Sequence, residues 1–453
     1  MILLLNVGNE YSLRFLIYLL FGCSSWLLIY RIKNGVKRAK YGSITFILGC
    51  VIWYSYPAFL TYLIPNYQMD LKYKKLIDDE ITLLGIIFIS LFQLCGVITS
   101  MFIFPSKSFK ILNRPRRMLS RTHSRVILIY CLSAFSLATL SYFYWESNLA
   151  EIISEIMESR AIEKPWLQSS VLGDSVSPFT FMISSIMVSA TFLMWVVVLD
   201  KRVSGIERLI IGIVGFLSTL ILYFDQGTRT IFLMVIIPAI VIKSSLSRQK
   251  ASFLKILGIV LIGIFILFAL QFQVLYRVGF SRANLLEMFF ENILTLGGTI
   301  DYFKETLFSI TIVPSYHDYF RESVLVQFLT SPIPRFIWPE KPISELVWFY
   351  SYFRWNIDIY SQAGNVLPGV VGQFYMSWGW VGPIFIGGIL GIATKLIDLF
   401  LMKIHIEDDA YKFGLGIFMS VWILISFRLI SPVFIYPVIL SFLVIFIAKR
   451  RNK

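Results

Sequence analysis

Apolar runs long enough to cross a lipid bilayer recur along the whole chain. A helix needs about 20 predominantly apolar residues to span a hydrocarbon core of roughly 30 Å. Runs of this kind, some of them shorter, lie at residues 12–30, 43–64, 81–103, 126–145, 179–199, 209–224, 230–243, 256–276, 383–402, 412–428 and 433–448. They are continuously apolar, whereas the strands of a membrane barrel alternate. The sequence therefore predicts an all-α, polytopic integral membrane protein with about eleven transmembrane helices.

The composition argues against a soluble protein. Of the 453 residues, 57% are hydrophobic and only 15% are charged, against about 25% charged residues in an ordinary soluble domain. The net charge is +14, but the basic residues lie between the apolar runs and form no stripe of the kind that binds nucleic acid. We therefore interpret the basic charge as a determinant of membrane orientation and expect no nucleic-acid partner.

Basic clusters mark one side of the predicted membrane. They comprise Arg31, Lys33, Lys37, Arg38 and Lys40 after the first run, and Lys107, Lys110, Arg114, Arg116, Arg117, Arg121 and Arg125 after the third. Cytoplasmic connectors are enriched in Lys and Arg, and the basic tail 449–453 falls on the same side if each run crosses once. The connector 146–178 is mostly acidic. These features predict an outward N-terminus and a cytoplasmic C-terminus.

One connector is far longer than the others. Residues 277–368 separate the eighth and ninth runs, whereas connectors of about 4–6 residues are typical. The predicted organisation is a transmembrane bundle over 1–276, a large outer loop over 277–368, and further transmembrane helices over 369–453. Long loops of this kind are usually functional.

Two motifs place arginines where they can bind an anion. Arg229 lies in a short break between two runs, near membrane depth, where a guanidinium usually faces a partner and can hold a lipid pyrophosphate. The alternative is a turn with an Asp225–Arg229 pair. In the segment 332–342, four prolines fix the backbone around Arg335 and Lys341, which can reach phosphates. Its Trp338 can stack on a sugar or serve as an interfacial anchor.

A third motif is the glycine-rich segment 364–383. Its glycines allow close approach of the backbone and expose amide donors that can bind anions. Close packing of transmembrane helices is the alternative, and it suits Gly379 and Gly382 better. Asn365 and Tyr375 are the members that point more to substrate binding.

These motifs and the large late loop resemble the Wzy-type polymerases of bacterial O-antigen and oligosaccharide repeat units. The resemblance rests on residues 227–229, 334–342 and 364–382 and on the position of the loop. It implies a metal-independent integral-membrane glycosyltransferase of the GT-C type, without a cofactor, in the bacterial inner membrane with its active face periplasmic. Donor and acceptor would both be undecaprenyl-pyrophosphate-linked oligosaccharides. A chain-length regulator is left open as a partner.

Such a transfer needs positive charge opposite the leaving pyrophosphate and a base for the attacking sugar hydroxyl. For the charge, the large loop supplies Arg335 and further candidate substrate-binding arginines. These are Arg277, Arg282, Arg321 and Arg354. His317 is the only histidine predicted to face outward and is the candidate base. A surface histidine in a tyrosine-rich helix is the alternative, and Asp301, Asp318 and Glu322 are rival bases.

Other functions stay open on the sequence alone. Asp78, Asp79 and Glu80 have the chemistry of a divalent-cation site, but acids at a helix start also favour the helix dipole, and we prefer the second interpretation. An O-antigen ligase would use similar donors. A lipid-linked oligosaccharide flippase or another transporter would need charged residues along several spans, and these runs have few.

Overall fold

A computed structural model describes most of the chain. The described residues are 10–35, 40–63, 77–102, 121–143, 148–157, 178–200, 202–224, 229–246, 268–269, 272, 301–321, 323–330, 333, 338, 340, 345–355, 367–404 and 409–450. Every regular element among them is helical. The predicted all-α fold class is confirmed.

Sixteen α-helices and one π-helical segment are described. In chain order they are α1 (Glu10–Gly35), α2 (Tyr41–Cys50), the π segment (Val51–Ser55), α3 (Tyr56–Leu63), α4 (Asp79–Phe102), α5 (Arg121–Phe143), α6 (Leu149–Met157), α7 (Pro178–Leu199), α8 (Gly205–Phe224), α9 (Arg229–Leu246), α10 (Tyr302–Ile312), α11 (Ser323–Thr330), α12 (Glu345–Trp355), α13 (Gly369–Trp378), α14 (Val381–Met402), α15 (Ala410–Ser426) and α16 (Pro432–Arg450). Helices α10, α11 and α12, in the predicted outer loop, have 8 to 11 residues, fewer than any of the described segments that are long enough to cross a membrane, which have at least 18.

Within the described part of the chain, seven helical segments are long and apolar enough to cross a membrane. They are Ser12–Gly35, Tyr41–Thr61, Asp79–Met101, Ser124–Phe143, Met182–Leu199, Gly205–Phe224 and Val381–Met402. Shorter apolar segments, Ile231–Ser244, Ala410–Ser426 and Phe434–Ala448, coincide with three more of the predicted runs. The chain is therefore a multi-pass membrane protein. The predicted run 256–276 lies outside the described residues except at 268, 269 and 272.

The bundle has two recognisable ends. At one end, the carboxylate of Asp398 in α14 accepts the backbone N–H of Ser43 at 3.3 Å, and Tyr41 packs against Phe413 with ring centroids 6.1 Å apart. Asp398 thereby satisfies a backbone donor at the start of α2. We call this the Asp398 end. At the opposite end, which we call the Arg428 end, the short helices α10 and α13 contact residues 427–430, and α12 packs against both of these helices.

The π segment connects the bundle with these short helices. A π turn inserts a residue into a helix and redirects its side chains, and such turns are frequent at functional sites. Here Trp53 Nε1 donates to the carbonyl oxygen of Leu424 at 3.0 Å. The hydroxyl of Tyr54 donates to the carbonyl oxygen of Phe427 at 3.3 Å and accepts the N–H of Val371 at 3.1 Å. Both aromatic residues thus fix the Arg428 end.

Candidate functional site

Helix α10 is a buried platform at the Arg428 end. Asp301 caps it by accepting the backbone N–H of Lys304 at 3.0 Å, which satisfies an otherwise unpaired donor of the first turn. Apart from Lys304 and Glu305, every residue of α10 is buried. The platform is therefore held by packing on nearly all sides, and Glu305 is its one acidic side chain.

Glu305 pairs with Arg354 of α12. Arg354 Nε lies 3.1 Å and 3.3 Å from the two carboxylate oxygens, and Nη2 lies 3.3 Å from Oε1. The hydroxyl of Tyr350 donates to the same carboxylate in a short hydrogen bond and lies 3.1 Å from the carbonyl oxygen of Glu305. The side chains of Arg354 and Glu305 are only 12% and 15% exposed. This is a largely buried, hydrogen-bonded ion pair.

The groups around Glu305 have opposing effects on the pKa of its carboxyl. Burial raises the pKa of the Glu305 carboxyl, while the Arg354 guanidinium and the Tyr350 hydroxyl oppose that rise. The Arg354 guanidinium also lies over the ring of Phe308, at 5.6 Å from the centroid. The guanidinium is thus held by a carboxylate and an aromatic face of α10.

His317 lies in the turn that follows α10, and not in the surface helix considered as its alternative environment. Its Nδ1 is 2.6 Å from the carbonyl oxygen of Asp318. A carbonyl oxygen only accepts, so Nδ1 carries the hydrogen and Nε2 is the basic nitrogen of the neutral ring. The ring stacks on Phe320 at 4.2 Å and packs against Phe349 at 4.7 Å. Its orientation is therefore fixed with Nε2 as the proton acceptor.

Helix α12 joins the histidine to the ion pair. Residues four apart on a helix share a face. Phe349 and Phe353, on one face, pack against each other with ring centroids 4.5 Å apart and contact the turn of His317. Tyr350 and Arg354, on the neighbouring face, contact α10. We call Glu305, His317, Tyr350 and Arg354 the α12 site.

A second arginine lies nearby in the fold. Arg428 Nε donates to the hydroxyl of Tyr302 at 2.9 Å, and the ring of Tyr302 packs against Trp53 at 5.5 Å. Tyr302 and Glu305 are one turn apart in α10, so the two arginines are bound by one helix. Neither Tyr302 nor Arg428 was among the site residues predicted from the sequence.

The described part of the glycine-rich segment, from residue 367 onward, is used for helix packing. The N–H groups of Val370 and Val371 donate to the Phe427 carbonyl oxygen and the Tyr54 hydroxyl, so these two amides at the start of α13 are already paired. Gly369 has φ of +72°, and a Cβ on Gly382 would lie 2.0 Å from the carbonyl oxygen of Phe374. Close backbone contact explains these glycines.

The predicted site residues are divided between described and undescribed parts of the chain. Tyr375 is buried between Phe88 and Tyr319, with centroid distances of 5.2 Å and 6.1 Å. Arg321 is exposed with φ of 44°, and Trp338 is 38% exposed. Arg229 is the first residue of α9, but its side chain lies outside the description. Also outside are Arg277, Arg282, Arg335, Lys341 and Asn365.

The acidic segment before α4 has a capping function. Asp78 Oδ1 accepts the N–H of Ile81 at 2.8 Å. This contact agrees with the preferred interpretation that the acidic residues stabilise the start of a helix. Among the residues that the structure describes, no three His, Cys, Asp or Glu side chains are grouped so that they could hold a metal ion. The presence of Asp78 at this position is therefore explained by its hydrogen bond to the first turn of α4.

The chain matches no protein-family model, no curated protein and no solved structure. Its function has to be inferred from the chemistry of the α12 site and from its position on a membrane bundle.

Proposed function

We propose that the chain polymerises undecaprenyl-pyrophosphate-linked oligosaccharide repeat units at the outer face of a bacterial inner membrane. The observation that carries the proposal is the α12 site, in which the immobilised guanidinium of Arg354 on α12 and a histidine with a basic Nε2 that packs against α12 lie at one end of a membrane bundle. These are the two groups that transfer from a lipid pyrophosphate requires.

In the proposed reaction, the acceptor sugar hydroxyl attacks the anomeric carbon of the donor glycan. The new glycosidic C–O bond forms as the bond from that carbon to the pyrophosphate oxygen breaks. The hydroxyl proton passes to Nε2 of His317, and undecaprenyl pyrophosphate leaves with its charge opposite arginine. Arg354 is the described arginine in this role, with Arg229 and Arg335 as the other predicted contributors.

The proposal includes eleven membrane crossings. Ile242 of α9 packs 3.0 Å from the position of a Cβ on Gly414, near the Asp398 end, whereas Asp301 begins α10 at the Arg428 end. The connection between them joins opposite ends of the bundle. The predicted eighth span, 256–276, falls within this connection. A single crossing there would join the two ends, which supports the proposed total of eleven crossings.

A reconstituted assay tests the function. Purified protein in liposomes is given lipid-linked repeat units extracted from the encoding bacterium, and the glycans are resolved by mass spectrometry. We expect products that lengthen by whole repeat units. Transfer only to a lipid A core would indicate a ligase, and movement of the lipid across the bilayer without lengthening would indicate a flippase.

The same assay tests the base. His317→Ala should lower the rate about 10²- to 10⁴-fold, the usual contribution of general base catalysis. Ser315→Ala, in the same turn and exposed, is the matched control and should keep the wild-type rate. If His317→Ala polymerises normally, the base must be sought at Asp301, Asp318 or Glu322.

A further inference from the structure

The Arg354–Glu305 contact uses the edge of the guanidinium that suits a phosphate. Nε and Nη2 both face the carboxylate, with N···O distances of 3.1 Å to 3.3 Å. This pair of donors matches two oxygens of a carboxylate or two oxygens of a phosphate equally well. The two anions cannot occupy the same edge at once.

A counterion is needed at this position whether or not substrate is bound. Arg354 is 12% exposed, and a charge at such a position without a partner is strongly destabilising. Glu305 supplies the opposite charge from the rigid helix α10. The carboxylate therefore permits Arg354 to be held in a water-poor site in advance of any ligand.

Glu305 keeps other contacts if the guanidinium exchanges partners. The Tyr350 hydroxyl donates to its carboxylate, and burial raises the pKa of Glu305, which makes the carboxyl easier to protonate. Asp301, on the same helix, adds negative charge to its surroundings, but its own carboxylate is bound to Lys304 at 3.2 Å. Asp301 is thus paired with Lys304 within α10, whereas Glu305 is paired with Arg354 of α12.

We propose that Glu305 is a stand-in counterion for Arg354, which the phosphate oxygens of the pyrophosphate donor displace. Glu305 is thus a positioning residue that holds the guanidinium ready and also sets the affinity for the donor. The identity of the phosphate carrier as a lipid-linked glycan rests on the function proposed above. The exchange of the Glu305 carboxylate for a pyrophosphate at Arg354 is independent of that function.

Inorganic pyrophosphate is the probe that separates these two claims. Its affinity for the detergent-purified full chain is measured by isothermal titration in metal-free buffer. Glu305→Gln keeps the size and an acceptor oxygen but removes the competing charge, so we expect binding about tenfold tighter than wild type. Arg354→Gln should weaken binding about tenfold, and adding Glu305→Gln to it should restore nothing.

Asp301→Asn is the matched control. It removes the same charge from the same helix, and asparagine still caps a helix start. We expect its affinity to stay within about twofold of wild type, because a charge that does not contact Arg354 acts only at a distance. Equal tightening in Asp301→Asn and Glu305→Gln would reduce the effect to general electrostatics and overturn the exchange.

A purely structural ion pair gives a different result. Glu305→Gln would then lower the thermal midpoint without tightening pyrophosphate binding, which overturns the proposal. If Glu305→Gln does not elute as a monodisperse protein, Tyr350→Phe takes its place. Loss of the hydroxyl removes a hydrogen bond to the Glu305 carboxylate without removing the ion pair, so the pyrophosphate affinity of Tyr350→Phe should differ from that of wild type by about two- to threefold. An unchanged affinity rejects the exchange. Tight binding without glycan lengthening would reject the polymerase function alone.

Discussion

At the scale of single residues, Gln373 shows why an amide is needed in a buried position of α13. Its Oε1 accepts the N–H of Ile430 at 3.0 Å, and its Nε2 donates to the carbonyl oxygen of the same residue at 3.3 Å. An amide side chain carries a separate acceptor oxygen and donor nitrogen and is uncharged, so it can pair with both groups of one backbone residue. Gln373 therefore fixes the chain directly after Arg428.

Gln373→Glu should destabilise the protein by about 1–3 kcal/mol, because a carboxylate would face the carbonyl oxygen of Ile430 in a site that is 1% exposed. The loss should be smaller at pH 5 than at pH 8, since burial favours the protonated acid, which can donate again. Thermal unfolding in detergent measures both. Ser315→Glu adds the same charge to an exposed turn and should leave the midpoint unchanged; equal midpoints for the two variants would contradict the role of Gln373.

The sequence singled out candidate side chains but not the residues that they contact. Arg354 and His317 were candidates because the transfer needs positive charge opposite a pyrophosphate and a base, and the predicted outer loop contains both residues. Glu305 lies 49 residues from Arg354, and Gln373 lies 57 residues from Ile430. No periodic pattern connects residues at such separations. These contacts depend on how the helices pack, and no local pattern in a single sequence predicts that packing.

At the scale of helices, the long apolar elements were predictable and the short ones were not. The predicted run 81–103 became Asp79–Phe102, because Asp78 caps the helix two residues earlier. By contrast, α10 and α13 have 11 and 10 residues and lie in segments with mixed polarity or many glycines. Helices this short are marginal alone and form because the bundle buries them.

Glycines also allow close backbone packing between α4 and α14. A Cβ on Gly387 would lie 2.4 Å from the carbonyl oxygen of Phe92, and one on Gly391 would lie 2.4 Å from that of Gly96. Glycines four residues apart allow the backbones of two membrane helices to touch. Helix α4 also packs against α10, which carries Glu305, so this contact supports the α12 site.

Gly387→Ala should therefore separate the helices and cost about 1–3 kcal/mol, the usual effect of overpacking. Its neighbour provides the control, since a Cβ on Gly388 would meet no atom closer than 3.9 Å. Gly388→Ala should be neutral or slightly stabilising, because alanine favours a helix more than glycine. Thermal midpoints of the two variants in detergent compare them directly, and a Gly387→Ala midpoint as high as that of Gly388→Ala would refute the close contact.

At the scale of the whole molecule, distant parts of the chain must face the same side of the membrane. The N–H of Lys40 donates to Gly35 at 3.0 Å, directly after α1, and Ser43 contacts Asp398 near the end of α14. Lys33 and Lys403 therefore lie at one end of the bundle, although most of the chain separates them. The turn of His317 follows α10 at the other end.

Cysteine labelling from outside intact cells tests this arrangement together with the predicted orientation. Lys33, Lys403 and Ser315 are exposed, so cysteines placed there should be reachable from water. The basic clusters beside Lys33 predict that this end is cytoplasmic. A membrane-impermeant maleimide should label Ser315→Cys in intact cells, and Lys33→Cys and Lys403→Cys only after permeabilisation. Labelling of both lysine positions from outside would invert the orientation and keep the fold. Labelling of one without the other would contradict the packing of α2 on α14, because a single bundle end cannot face both sides.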